Sequence, residues 1–130
     1  MKKNGLLHSE LNKTIAAMGH GDMLVIADTG LPVPVDVPVI DLAFCKGKIS
    51  FLDALEVIAD ELEIESYIVA EELQHRNASL IEKIQGILKK PSEQLTHEAF
   101  KDLSKGAIAV VRTGEWTPYS NIILVAGVPF

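Results

Sequence analysis

Two segments of this sequence carry side chains suited to moving a proton and holding a small polar ligand. The first is Gly19-His20-Gly21-Asp22, followed one apolar run later by Asp28. A histidine between two glycines can turn its ring outward, and a place close behind a helix C-terminus, where partial negative charge collects, favours the protonated imidazole. Such a group can donate a proton near neutral pH. The plainer alternative is a turn histidine bonded to a backbone carbonyl, and Asp28 can equally cap the turn that follows it. The spacing is not that of a phosphate loop, which needs a lysine and a longer glycine-rich stretch.

The second segment runs from Arg112 to Asn121. It sets Arg112, Thr113, Glu115, Tyr119, Ser120 and Asn121 around the indole of Trp116, between two apolar stretches. Amide, carboxylate and hydroxyl groups beside an aromatic face suit a hydroxyl-rich ligand. An Arg112–Glu115 ion pair that stiffens a loop explains the same residues. His97 behind Thr96 reads as a first-turn helix residue, and His8 and His75 read as surface residues. No two histidines have the His-x-x-x-His spacing and Cys45 is the one cysteine, so no metal site or internal disulfide is expected.

These groups need elements to position them. Ser9 can cap a helix over 9–19, with Leu11, Ile15 and Met18 on one face and Gly19 as its left-handed end. Met23–Ala27 reads as a strand buried on both faces, which sets Asp28 at its carboxyl end. Pro32, Pro34 and Pro38 make the next stretch a stiff loop before a strand at 39–44. Ser50 with Asp53 opens a helix striped by Leu52, Leu55, Ile58 and Leu62, and the acidic run 60–65 reads as its solvated end. A strand at 66–70, a helix capped by Asn77, a short helix capped by Thr96, and strands at 107–112 and 121–126 complete the chain. Alternating helices and strands predict an α/β layered sheet with helices on its faces, where ligands collect beyond the carboxyl ends of the strands.

Composition narrows the partners. The 130 residues carry 12 Lys and Arg against 18 Asp and Glu, a net charge of −6, and suit a single domain over 1–130. No basic field attracts nucleic acid or an anionic membrane. The longest apolar run, 122–128, is far short of the roughly 18 residues that span a bilayer. The first ten residues lack a signal-peptide core, so a cytoplasmic protein is expected. A mean hydropathy of +0.22 is high for so small a domain and predicts self-association.

Several separated motifs then occur in one order: Met18-Gly19-His20-Gly21-Asp22, Ile26-Ala27-Asp28-Thr29-Gly30-Leu31-Pro32-Val33-Pro34, Ile40-Asp41-Leu42, and Arg112 through Ile122. Together they resemble the family of D-ribose pyranases and L-fucose mutarotases, nearly from end to end. The Asp-x-Gly-Leu-Pro-x-Pro and Thr-Pro-Tyr-x-Asn elements look like its ribose branch. The resemblance implies a cytoplasmic enzyme exchanging β-pyranose and β-furanose D-ribose without a cofactor. It further implies His20 as proton donor, and Asp28, His97, Tyr119, Ser120 and Asn121 as substrate-binding residues. It also implies a homodecamer of two stacked pentameric rings with sites between neighbouring subunits. Ala99 stands where the family often has an acidic residue, and nothing functional carries over to 63–93. Fucose mutarotation and non-catalytic sugar binding are the alternatives.

Overall fold

Met23-Leu24-Val25-Ile26-Ala27 is too apolar for either face to meet water. In the computed structural model, which describes residues 1–130, it is the buried strand β1 (Met23–Ala27). Around it lie β2 (Val39–Asp41), β3 (Ile64–Ala70), β4 (Ser92–Leu95), β5 (Ala109–Arg112) and β6 (Ile122–Ala126). They form one sheet in the order β2-β5-β1-β6-β3-β4. β6 is antiparallel to β1 and β3, while every other pairing is parallel. The carboxyl ends of five strands and the start of β6 therefore share one edge of the sheet. The fold is α/β, as expected.

Alternation along the strands divides the interior. Leu24 and Ile26 of β1, Ala109 and Val111 of β5, and Ile122 and Leu124 of β6 face the larger core. That core also takes Leu11 of α1 (Ser9–Ala17), Phe51, Leu55 and Ile58 of α2 (Phe51–Glu61), and Leu80, Ile81 and Ile84 of α4 (Ala78–Leu88). Val25, Val110 and Ile123 face a smaller core with Phe100 of α5 (His97–Leu103) and with Leu31 and Val37 of the proline loop. β3 breaks the period of two: Ile64, Tyr67 and Val69 all face the larger core. The pairing of β3 with β6 steps from Ile64/Ala126 to Ser66/Val125, so Glu65 is the extra residue of a β-bulge that shifts the alternation.

Three caps match the sequence reading. Ser50 accepts from the Asp53 N–H at 3.1 Å, Asn77 from Leu80 at 3.1 Å and Thr96 from Ala99 at 3.2 Å. The first helix differs, because the His8 ring, through Nδ1, takes the capping role from Ser9. That helix stops at Ala17, and the left-handed residue beyond it is Gly21 rather than Gly19. β2 ends at Asp41, since the chain then turns into a tight bend around Cys45–Lys48 instead of continuing to 44. The acidic run is no plain helix end: Ile64 and Glu65 already belong to β3. The sequence reading also passed over α3 (Glu71–Arg76), too short to show a periodic stripe, and β4, a polar edge strand whose residues are mostly exposed.

Candidate active site

At the carboxyl edge of the sheet, Asp28 leaves β1 and Asn121 enters β6. Their side chains are locked together: Asn121 Oδ1 accepts from the Asp28 N–H at 2.8 Å, and Asn121 Nδ2 donates to Asp28 Oδ2 at 3.1 Å. Asp28 Oδ1 accepts from the Gly30 N–H at 3.0 Å. Burial pushes the Asp28 carboxyl above the usual carboxylate range, opposed by hydrogen bonds from Gly30, Asn121 and Leu31 and by the charge of His97. A carboxylate poised in this way can exchange a proton closer to neutrality than a free aspartate.

His97 begins α5 beside this pair. Its ring meets Tyr119 edge-on at 5.1 Å and stacks on Phe100, while its backbone N–H donates to both carboxylate oxygens of Glu72 at 3.1 Å. Tyr119 adopts the left-handed conformation, φ 62°, and the Arg76 guanidinium lies 5.2 Å from its ring centre. Ser120 and Asn121 are fully buried. Ser120 Oγ and His97 Nδ1 are buried without a hydrogen-bond partner, and both lie at this edge. Unpaired polar atoms of this kind are rare in folded chains and gather at functional positions. A cleft of about 350 Å³ opens next to Asp28, lined by Thr29, Gly30, Glu115, Trp116 and Pro118. Its volume suits a small ligand.

The loop that forms the cleft wall is built differently from the sequence expectation. Arg112 does not pair with Glu115; it reaches Asp41 at 3.1 Å. Glu115 turns inward instead, accepting from the Phe51 N–H at the start of α2 and from the Trp116 and Thr117 N–H groups and the Thr117 hydroxyl. Thr113 Oγ1 donates to the Ala27 carbonyl at 2.7 Å, and Thr29 Oγ1 donates to the Thr113 carbonyl, which ties the exits of β1 and β5 together. Gly114 is required by close approach, since a Cβ there would collide with the backbone carbonyls of Cys45 and Lys48.

His20 is not part of this cluster. It precedes β1, so the length of the strand, about 16 Å at roughly 3.3 Å per residue, lies between it and Asp28. At that amino edge its Nε2 is 2.6 Å from Glu65 Oε2. The ring is open to solvent, with 60% of its side-chain surface exposed. The turn holding it is fixed by Gly19 N–H to Asp22 Oδ2 at 2.8 Å and by Gly21 N–H to the Ala126 carbonyl at 2.8 Å. The chain thus assembles Asp28, His97, Tyr119, Ser120 and Asn121 at one edge and leaves His20 at the other. The sequence reading missed Glu65, Glu72 and the anchoring role of Glu115. Charged residues at the two ends of β3 were the available signal for the first two. No three His, Cys, Asp or Glu side chains converge as a metal site would require.

Residues 1–129 match the model of the RbsD / FucU transport protein family. The chain belongs to this family. A D-ribose pyranase of Bacillus cereus (strain 03BB102) is 50% identical over 131 aligned residues, covering all of both chains. The structure of Bacillus subtilis RbsD complexed with D-ribose superposes with a TM-score of 0.96 at 46% identity, again covering all of both chains. The fucose mutarotase of Streptococcus pneumoniae, solved in complex with L-fucose, is more distant, with a TM-score of 0.81 at 27% identity over 95% of each chain.

Proposed function

We propose that this protein is an isomerase that interconverts β-D-ribopyranose and β-D-ribofuranose, acting on imported ribose in the cytoplasm before it is phosphorylated. The observation that carries the reading is the Asp28–Asn121 pair, flanked by His97 and Tyr119 beside a cleft of monosaccharide size, in a chain half identical throughout its length to a D-ribose pyranase. Ring exchange is hemiacetal chemistry. A proton reaches the ring oxygen as the bond from the anomeric carbon to that oxygen breaks, and the anomeric hydroxyl gives up its proton as the carbonyl forms. Rotation of the open aldehyde and attack by a different hydroxyl then close the other ring. General acid and base groups supply what this needs, each positioned transfer contributing about 10² to 10⁴ in rate.

His20 is the proton donor in this reading, and Asp28 or His97 takes the proton from the anomeric hydroxyl. Tyr119, Ser120 and Asn121 form the wall that orients the sugar, with Asn121 acting chiefly by holding Asp28. Since His20 stands at the far edge of the sheet, a site containing all of these residues draws His20 from a second copy. This favours an obligate oligomer, with residues 1–130 as one domain and a homodecamer of two pentameric rings as the assembly. An uncharged sugar needs no electrostatic steering, in keeping with the acidic surface.

Saturation-transfer NMR on ribose and on fucose tests the proposal. Faster pyranose to furanose exchange of ribose, and a weaker effect on fucose anomers, is the expected result. Preference for fucose would assign the mutarotase activity, and ribose binding with exchange no faster than in buffer would make the protein a sugar binder only.

A further inference from the structure

We infer that Glu65 is the positioning residue of His20, and that it leaves Nδ1 as the ring nitrogen that meets the sugar. The inference rests on His20 being the proton donor. Three independent features of the amino edge converge on it. Glu65 Oε2 lies 2.6 Å from His20 Nε2, within reach for the ring N–H to donate to the carboxylate. Glu65 is also the extra residue of the bulge in β3, where the chain departs from regular pairing for one position. Bulges re-aim a side chain, and here the residue re-aimed is the one that reaches His20. Finally, Gly127 at the end of β6 makes room for the bulge: a Cβ at that position would stand 3.0 Å from the Glu65 Cβ and 3.4 Å from its backbone nitrogen.

The consequence follows from imidazole chemistry. The tautomer of a histidine is set by the hydrogen bond of the nitrogen not in use. With Nε2–H donating to Glu65, neutral His20 carries its proton on Nε2 and presents Nδ1 as an acceptor. In the protonated ring both nitrogens carry hydrogen. The Nδ1 proton passes to the sugar ring oxygen as the bond to the anomeric carbon breaks, and Nε2–H stays on Glu65 throughout. When the other ring closes, Nδ1 takes the proton that leaves the attacking hydroxyl and the base returns its proton to the anomeric oxygen, which restores the starting state, so Glu65 exchanges no proton with the sugar. His20 alternates between two forms of one fixed orientation, and no ring flip is required between turnovers.

The test uses the full-length protein with ¹⁵N-labelled histidine. Two-bond ¹H–¹⁵N correlations should show His20 as the Nε2–H tautomer in the wild type and in Glu65→Gln, whose amide oxygen still accepts, and a tautomer mixture in Glu65→Ala. Ribose exchange should fall roughly tenfold or more in kcat for Glu65→Ala with KM little changed, and Glu65→Gln should recover a large part of that loss. Gly127→Ala, which leaves both partners in place but crowds the bulge, should produce a milder form of the same phenotype. An unchanged tautomer and unchanged kcat in Glu65→Ala, in a background where His20→Ala is inactive, would overturn the inference while leaving His20 as donor. Full exchange in His20→Ala would overturn the donor assignment itself, and with it the role given to Nδ1.

Discussion

The two edges of the sheet are built on opposite plans. At the carboxyl edge Asp28 holds three hydrogen bonds to its neighbours, Asn121 is buried, and the Glu115 carboxylate accepts from three donors of its own loop and from the first N–H of α2. At the amino edge His20 stands in solvent and is held by one side-chain partner. The first plan suits groups that must be in place before a ligand arrives, because preorganised polar contacts cost no rearrangement during the reaction. The second suits a group presented to a surface that a single chain does not contain. With the roles proposed above, neither edge holds the donor, the base and the binding wall together.

The largest expected effect breaks the exposed plan. His20→Ala should keep the far-UV circular dichroism of the wild type, because the ring supports no packing, and should lower ribose exchange by about 10² to 10⁴. Asn121→Ala attacks the buried plan and should be felt in both stability and rate. It removes both bonds to Asp28, and urea unfolding should show a loss of about 1–3 kcal/mol together with slowed exchange.

Asp28→Asn separates the two effects. The carboxyl is raised from its ordinary 3.8 by burial, so the folded state holds this proton more tightly than the unfolded chain does. The stabilising contribution of the group is complete below 3.8 and is lost as pH rises through the raised value. The amide that replaces the carboxyl cannot titrate. The stability of the variant relative to the wild type should therefore climb as pH rises above 3.8 and level off once the wild-type carboxyl is ionised, while exchange is slowed at every pH. A flat difference across that range would mean that burial does not perturb Asp28. The smallest effect on exchange is expected for Thr113→Val, which deletes the hydroxyl bond to the Ala27 carbonyl and the one accepted from the Glu115 N–H, and should cost about 1–2 kcal/mol with exchange nearly unchanged.

Much of this arrangement is legible in the residues themselves. The apolar run of β1 fixes Asp28 at a strand end, and the caps Ser50, Asn77 and Thr96 announce three helices, because each signal is local. The missed elements lack such signals. β4 is polar and exposed at the sheet edge, so its pairing with β3 depends on tertiary contact, and α3 is too short for a hydrophobic period. The pairing of His20 with Glu65 joins residues 45 positions apart and is created by a bulge that no pattern of alternation predicts. Residues 63–93, whose sequence points to no function, supply both the carboxylate on His20 and, through Glu72, the one that holds His97. Separation of His20 from the cluster around Asp28 is a property of strand direction, and is visible only once β1 is laid in the sheet.

Mixing two impaired variants measures the central claim most directly. His20→Ala and Asp28→Asn proteins, unfolded together at equal amounts and refolded, should form mixed assemblies in which about a quarter of the interfaces pair an intact His20 from one copy with an intact Asp28 from another. Ribose exchange should then rise to about that fraction of the wild-type rate, above that of either variant refolded alone. No recovery in assemblies shown to be mixed would contradict a site shared between the two edges of neighbouring copies.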